Sequence, residues 1–230
     1  MRQSFSACLL LWCACSSAAA TEPTHAPAWQ RLDRQVSELY RQHRYRRAEV
    51  IAKRALRLAQ RHPADRAAQA RSLNNLGLLY KLQGQPAKAE PLFRRALPLA
   101  ERAFGSDHPA VAACLNNLAT LIHAQGRHAE AEPLFLRALA IREQAFGPHH
   151  PDVALSLSNL GVHYFAIGQP QRAEPLLLRA LAIRQQALPA GHPDIAASLL
   201  NLAALYRATG RDPAAQELEQ KANALRAPGF

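Results

Sequence analysis

Four asparagines recur at a fixed step: Asn75, Asn117, Asn159 and Asn201 lie 42 residues apart. A carboxamide carries two N–H donors and an acceptor oxygen. One such group per structural unit forms a ladder that can pair with the N–H and C=O groups of an extended peptide without reading its side chains. The same amide can instead tie its own helix to the neighbouring unit, and the sequence leaves both uses open. The chemistry on offer is recognition. There is no phosphate-binding loop, dinucleotide fingerprint or His-Glu-x-x-His metal motif, and no Gly-x-Ser-x-Gly elbow. Glu130 and Glu132 sit among arginines and read as a solvated surface. The ten histidines show no ligand spacing, so no metal or cofactor is expected, and the chain is read as a non-enzyme.

The asparagines belong to a longer repeat. Leu76, Leu118, Leu160 and Leu202 keep the 42-residue step, as do Gly84, Gly126, Gly168 and Gly210, and Ala89, Ala131, Ala173 and Ala215. Internal self-similarity of this length is the signature of a repeat architecture. Within a unit the apolar residues follow the three-and-four spacing of helices. Leu115, Leu118, Leu121 and Ile122 make one stripe, and Ala131, Leu134, Phe135, Ala138 and Leu139 the next. The glycine between them is a helix stop. Each unit therefore reads as two antiparallel helices, about 109–125 and 128–145 in the third. Aromatic residues at 6% argue against an all-β sandwich or barrel.

His108-Pro109, His150-Pro151 and His192-Pro193 mark the joints. Proline suits the first turn of a helix, where its missing N–H costs nothing, and the histidine before it falls at the cap. A degenerate unit precedes the regular four, with His43 in place of the turn glycine and Gln35 in the asparagine slot. In the last helix Glu219, Gln220 and Asn223 stand where the preceding unit has Leu177, Leu178 and Leu181, a polar outer face that ends a stack.

The first twenty residues read as an address. Arg2, an apolar run from Phe5 to Cys15 and small residues ending in Ala18-Ala19-Ala20 form the three zones of a secretory signal, cut after Ala20. A lipid anchor on Cys15 is the alternative, although Trp12 stands where such signals prefer leucine. An N-terminal core helix is a third reading. Cleavage leaves Cys114, which makes no internal disulfide and reads as a small packed side chain. The expected organisation is a signal over 1–20, a linker over 21–28 and repeats over 29–226, with a tail over 227–230. The units run about 29–62, 63–105, 106–147, 148–189 and 190–226.

The formal net charge of +11 is uneven. Residues 29–71 hold 12 Lys/Arg against 4 Asp/Glu, while residues 72–230 hold 15 against 12. The excess includes Arg31, Arg34, Arg41, Arg44, Arg46 and Arg47. It reads as a solvated basic end or as a contact for an acidic partner or anionic envelope surface. Nucleic acid is not expected, because no aromatic platform for bases is interleaved with these arginines.

Leu76-Gly77-x-x-Tyr80 followed by Ala89-x-x-x-Phe93 resembles the tetratricopeptide pattern. Leu160-Gly161-x-x-Tyr164 repeats its first half and Ala131-x-x-x-Phe135 its second. The 42-residue period and the string His-Pro-Asp-Val-Ala…Asn-Leu…Gly…Ala-Glu-Pro-Leu…Arg-Ala-Leu resemble the kinesin light chain variety. Leu73, Leu115, Leu157 and Leu199 replace the family's tryptophan, and Ile122 its tyrosine in the third unit. The resemblance implies an all-α, right-handed α-solenoid of five helix-turn-helix units with a concave face lined by the first helices. It places Asn74, Asn75, Leu78 and Lys81 on that face, with Asn116, Asn117, Thr120 and His123 after them. Ser158, Asn159, Val162 and Phe165 follow in the fourth unit, and Leu200, Asn201, Ala204 and Arg207 in the fifth. The function implied is an adaptor that binds an unidentified protein or peptide in the groove, exported to the periplasm or beyond. An electrostatic binder of an anionic surface or polymer, working through the basic first hairpin, is the alternative.

Overall fold

The structure is a computed structural model that describes residues 28–226. Among these residues are ten α-helices and no strand. The chain forms two compact units that part between Gly126 and Arg127. The first holds α1 (Ala28–Arg41), α2 (Tyr45–Gln60), α3 (Arg66–Leu82), α4 (Pro86–Phe104) and α5 (Pro109–Ala124). The second holds α6 (His128–Phe146), α7 (Pro151–Ala166), α8 (Pro170–Ala187), α9 (Pro193–Ala208) and α10 (Asp212–Arg226). The expected signal peptide, its cut site, Cys15 and the tail lie outside the described residues. No described helix is long and apolar enough to cross a membrane.

In the first unit the helices pack in chain order, and α3 also touches α1 and α5. The second unit repeats this order, with α7 touching α9. This is an all-α fold of serially stacked helix pairs, in which the odd-numbered helices of each unit share one wall. It explains a contrast in burial. Every residue of α3 from Ser72 to Tyr80 is buried, because neighbours cover it on several sides. Its partner α4 buries a narrow stripe of Ala89, Phe93, Ala96 and Ala100. Small side chains let the backbones approach closely. An added Cβ on Gly77 would lie 2.8 Å from the Phe93 ring, and one on Gly161 2.8 Å from Leu177 Cγ. Pro91, Pro133 and Pro175 sit inside α4, α6 and α8 at the same slot, all exposed, and each leaves one carbonyl of the preceding turn without its helical donor.

The joints work as caps. The ring of His108 accepts from the N–H of Ala110, that of His150 from Asp152 and that of His192 from Asp194. The four turn glycines take φ between 70° and 78°, and His43 adopts φ 57° in the same slot of the first hairpin. Two carboxylates clasp successive repeats of the second unit. Glu132 accepts from the Tyr164 hydroxyl at 2.8 Å and from Arg172 at 3.0 Å. Glu174 takes a two-pronged contact from Arg211 at 2.7 and 2.9 Å. The bond from Tyr164 holds Glu132 below the usual carboxylate range, and that from Arg211 does the same for Glu174. Cys114 is buried, and burial, reinforced by Glu101, pushes its thiol up to about 12. It is an inert packing group. In α10, Gln220 and Asn223 are exposed, and Glu219 accepts from Arg207 at 2.8 Å.

Candidate functional site

The wall of odd-numbered helices positions the residues read as a binding face, and the structure sorts them by depth. In the first unit Asn74, Asn75, Leu78, Asn116 and Asn117 are all buried. This differs from the expectation of an accessible amide row, and the cause is a partner one repeat away. Asn75 Nδ2 donates to Asp33 Oδ1 at 2.6 Å, and Asn117 Nδ2 donates to Asn74 Oδ1 at 3.1 Å. Each bond links neighbouring odd-numbered helices. Gln35, expected in the asparagine slot of the degenerate unit, is exposed, and Asp33 takes the linking role. Asp33 is only 7% exposed. Burial raises its carboxyl above the ordinary value, against the lowering effect of Arg71 at 3.2 Å and of Asn75.

Three residues of the first unit remain within reach of solvent on this wall: Lys81, Thr120 and His123, all half-buried. Lys81 Nζ donates to Thr120 Oγ1 at 2.5 Å, and that hydroxyl donates to the Asn117 carbonyl at 3.0 Å. Burial drives the Lys81 ammonium from 10.5 to about 8. The native state therefore binds this proton less tightly than the unfolded chain. Stability should rise as pH goes from about 8 to 10.5 and be at its lower level below about 8. Lys81→Met should raise stability at pH 7 by about 1 kcal/mol, a figure reduced because water still reaches the group. It should also flatten that alkaline rise in urea unfolding. A loss of stability at pH 7 would contradict this account of Lys81.

The second unit keeps its amides nearer the surface. Asn159 and Asn201 are half-buried, with Val162, Phe165, Leu200 and Ala204 half-buried around them. Ser158 is buried in the slot that holds Asn116 one repeat earlier and Asn74 two repeats earlier, and its hydroxyl accepts from Arg184 at 3.0 Å. Asn201 consequently has no hydrogen-bond partner among the described residues. Arg207 is exposed and paired with Glu219.

The basic hairpin divides in the same way. Arg31, Arg34 and Arg41 are exposed, and Arg41 pairs with Glu38 at 2.5 Å. Arg44, Arg46 and Arg47 line an open depression of about 670 Å³ with His43, Tyr45, Leu82, Gln83 and Gln85, a lining without a carboxylate. One association escaped sequence reasoning. The rings of His128 and His163 meet with centroids 5.9 Å apart. Their separation in the chain matches no ligand motif. The available signal was in the repeat alignment, where position 163 otherwise holds Leu79, Leu121 and Leu205.

Comparison with known proteins agrees with this geometry. The tetratricopeptide repeat family model matches residues 39–102, 69–121, 112–186 and 164–226. No curated protein matches the chain. Among solved structures, BtubC (BKLC) from P. vanneervenii is 27% identical, covering 86% of this chain and 79% of its own, with a TM-score of 0.73. A putative kinesin light chain repeat protein from Podospora anserina is 25% identical over 89% of this chain and 98% of its own, with a TM-score of 0.69. The type IV pilus biogenesis factor PilW shares the fold at 22% identity, 90% and 81% coverage and a TM-score of 0.65.

Proposed function

The chain belongs to the tetratricopeptide repeat family, a protein-interaction scaffold, and from that premise we propose that it is a non-enzymatic adaptor of the bacterial cell envelope. Its ligand is an extended segment of a partner protein, bound along the odd-numbered helices of the second unit. The observation that carries this reading is the pairing state of the amides. Asn75 and Asn117 are engaged between repeats, whereas Asn201 has a half-buried carboxamide with no partner beside the half-buried Ala204. Peptide N–H and C=O groups would complete the pairing of Asn201, with Asn159 on the same half-buried face of the second unit. Val162 and Phe165 supply apolar contact, and Ser158, Leu78, Asn74 and Asn116 form the floor of their own units. Within the first unit Lys81, Thr120 and His123 offer polar contacts of their own, and within the second Arg207 offers a cation. Export rests on the composition of residues 1–20.

A phage-displayed library of random peptides, selected on the mature chain, provides probes for this face. Asn159→Ala with Asn201→Ala should weaken the selected peptides at least about tenfold, the loss of one to two hydrogen bonds, with unchanged helicity. The open arginine-lined depression favours a second reading, an anionic ligand held by the first hairpin. Salt separates the two. Binding through Arg44, Arg46 and Arg47 should collapse between low and physiological ionic strength, whereas the amide face should lose little. Peptides indifferent to both amide substitutions would overturn the first reading.

A further inference from the structure

We propose that His128 and His163 form a binding site for a divalent transition metal ion of the zinc type. Two departures from the repeat meet at this point. Position 163 holds leucine in the other regular units, at Leu79, Leu121 and Leu205. Position 128 holds Pro86 and Pro170 in two of them. Both have become histidine in the same stretch of the second unit. His163 is 1% exposed on α7, where an imidazole replaces an apolar side chain. His128 opens α6 and is half-buried. Their rings are T-shaped, with one nitrogen of each within 4.8 Å of the other.

Zinc binds imidazole nitrogen at roughly 2.0–2.1 Å, so two nitrogens sharing one tetrahedral ion lie about 3.3 Å apart. A small swing of His128, at the end of its helix, closes that gap. Imidazole ligates in its neutral form, and burial lowers the His163 pKa in the required direction. The charged groups that act on His163 are Glu132, His128 and Arg172. Of these, Glu132 favours a cation at this place, and its carboxylate is fixed by Tyr164 and Arg172. Imidazole donors select zinc, nickel, copper and cobalt over magnesium and calcium. Nothing in this site depends on segment binding, so either reading can fail without the other.

The test uses the mature full chain without a histidine tag. Zinc and nickel chlorides are titrated by calorimetry, with thermal unfolding followed in parallel. The variants are His163→Leu and His128→Pro, each restoring the residue that other repeats carry. Zinc should raise the melting temperature of the wild type, and each variant should bind it at least about tenfold more weakly while remaining folded. A histidine-selective carbon–proton NMR spectrum of the wild type reads the same pair without substitution. The signals of His128 and His163 should move on zinc addition while those of His108 and His192 stay in place. Equal zinc affinity in both variants, or a wild type whose melting temperature and His163 signal ignore zinc, would overturn the site.

Discussion

Gly77→Val should lower the stability of the protein by about 3 kcal/mol, the upper end of what overpacking a closed core costs. A Cβ at position 77 would lie 2.8 to 3.1 Å from three atoms of the Phe93 ring. That ring is fully buried. The close approach of α3 and α4 is therefore set by the absence of a side chain at 77. Other repeats carry Ala119 and Ala203 in this slot, so one methyl group is within the repeat's range, and Gly77→Ala should be milder. Valine adds two further methyl groups that the helix holds rigidly. The measurement is urea unfolding of both variants against the wild type. A valine variant as stable as the wild type would mean that α3 and α4 do not pack at this distance.

Asn75→Ala should cost about 2 kcal/mol, the range for removing a hydrogen bond to a charged group. The substitution takes a donor from Asp33 Oδ1, which is almost wholly buried. The carboxylate is then left with Arg71 as its described partner. A double-mutant cycle with Asp33→Ala isolates the contact, and a coupling near zero would show that the two groups do not interact. The same cycle separates the two uses of the asparagine row. Asn201→Ala should change stability by less than about 0.5 kcal/mol and weaken peptide binding. Asn75→Ala should do the reverse. The row that looks uniform in sequence is thus divided between holding repeats together and receiving a ligand.

The repeat period, the helix pairs and their caps were legible because they depend on nearby residues. The apolar stripe of Leu115, Leu118, Leu121 and Ile122 locates α5 without reference to anything distant. His108, His150 and His192 announce their caps through the proline that follows each. The depth of the asparagines was not legible, because it is decided by whatever stands one repeat earlier. Asp33 accepts from Asn75 across 42 residues, and no local pattern marks it. The repeat pattern puts Gln35 in the asparagine slot of the first helix, and nothing in it singles out Asp33, two residues earlier, as the residue that takes the linking position. His163 was hidden for a related reason. It occupies a slot that reads as apolar core, and its meeting with His128 comes from the packing of α6 against α7. Lys81 shows the same limit, since its shift to about 8 follows from enclosure rather than composition.

The central claim is that the odd-numbered helices receive the partner, and site-specific photo-crosslinking tests it most directly. A photoreactive amino acid is placed at Phe165, half-buried on the proposed face, or at Leu178, an exposed leucine of α8 that is 44% accessible. Each protein is incubated with envelope extract and illuminated. An adduct from position 165 that disappears in the Asn159→Ala, Asn201→Ala background, with none from position 178, is the predicted result. Adducts from position 178 and none from 165 would contradict it.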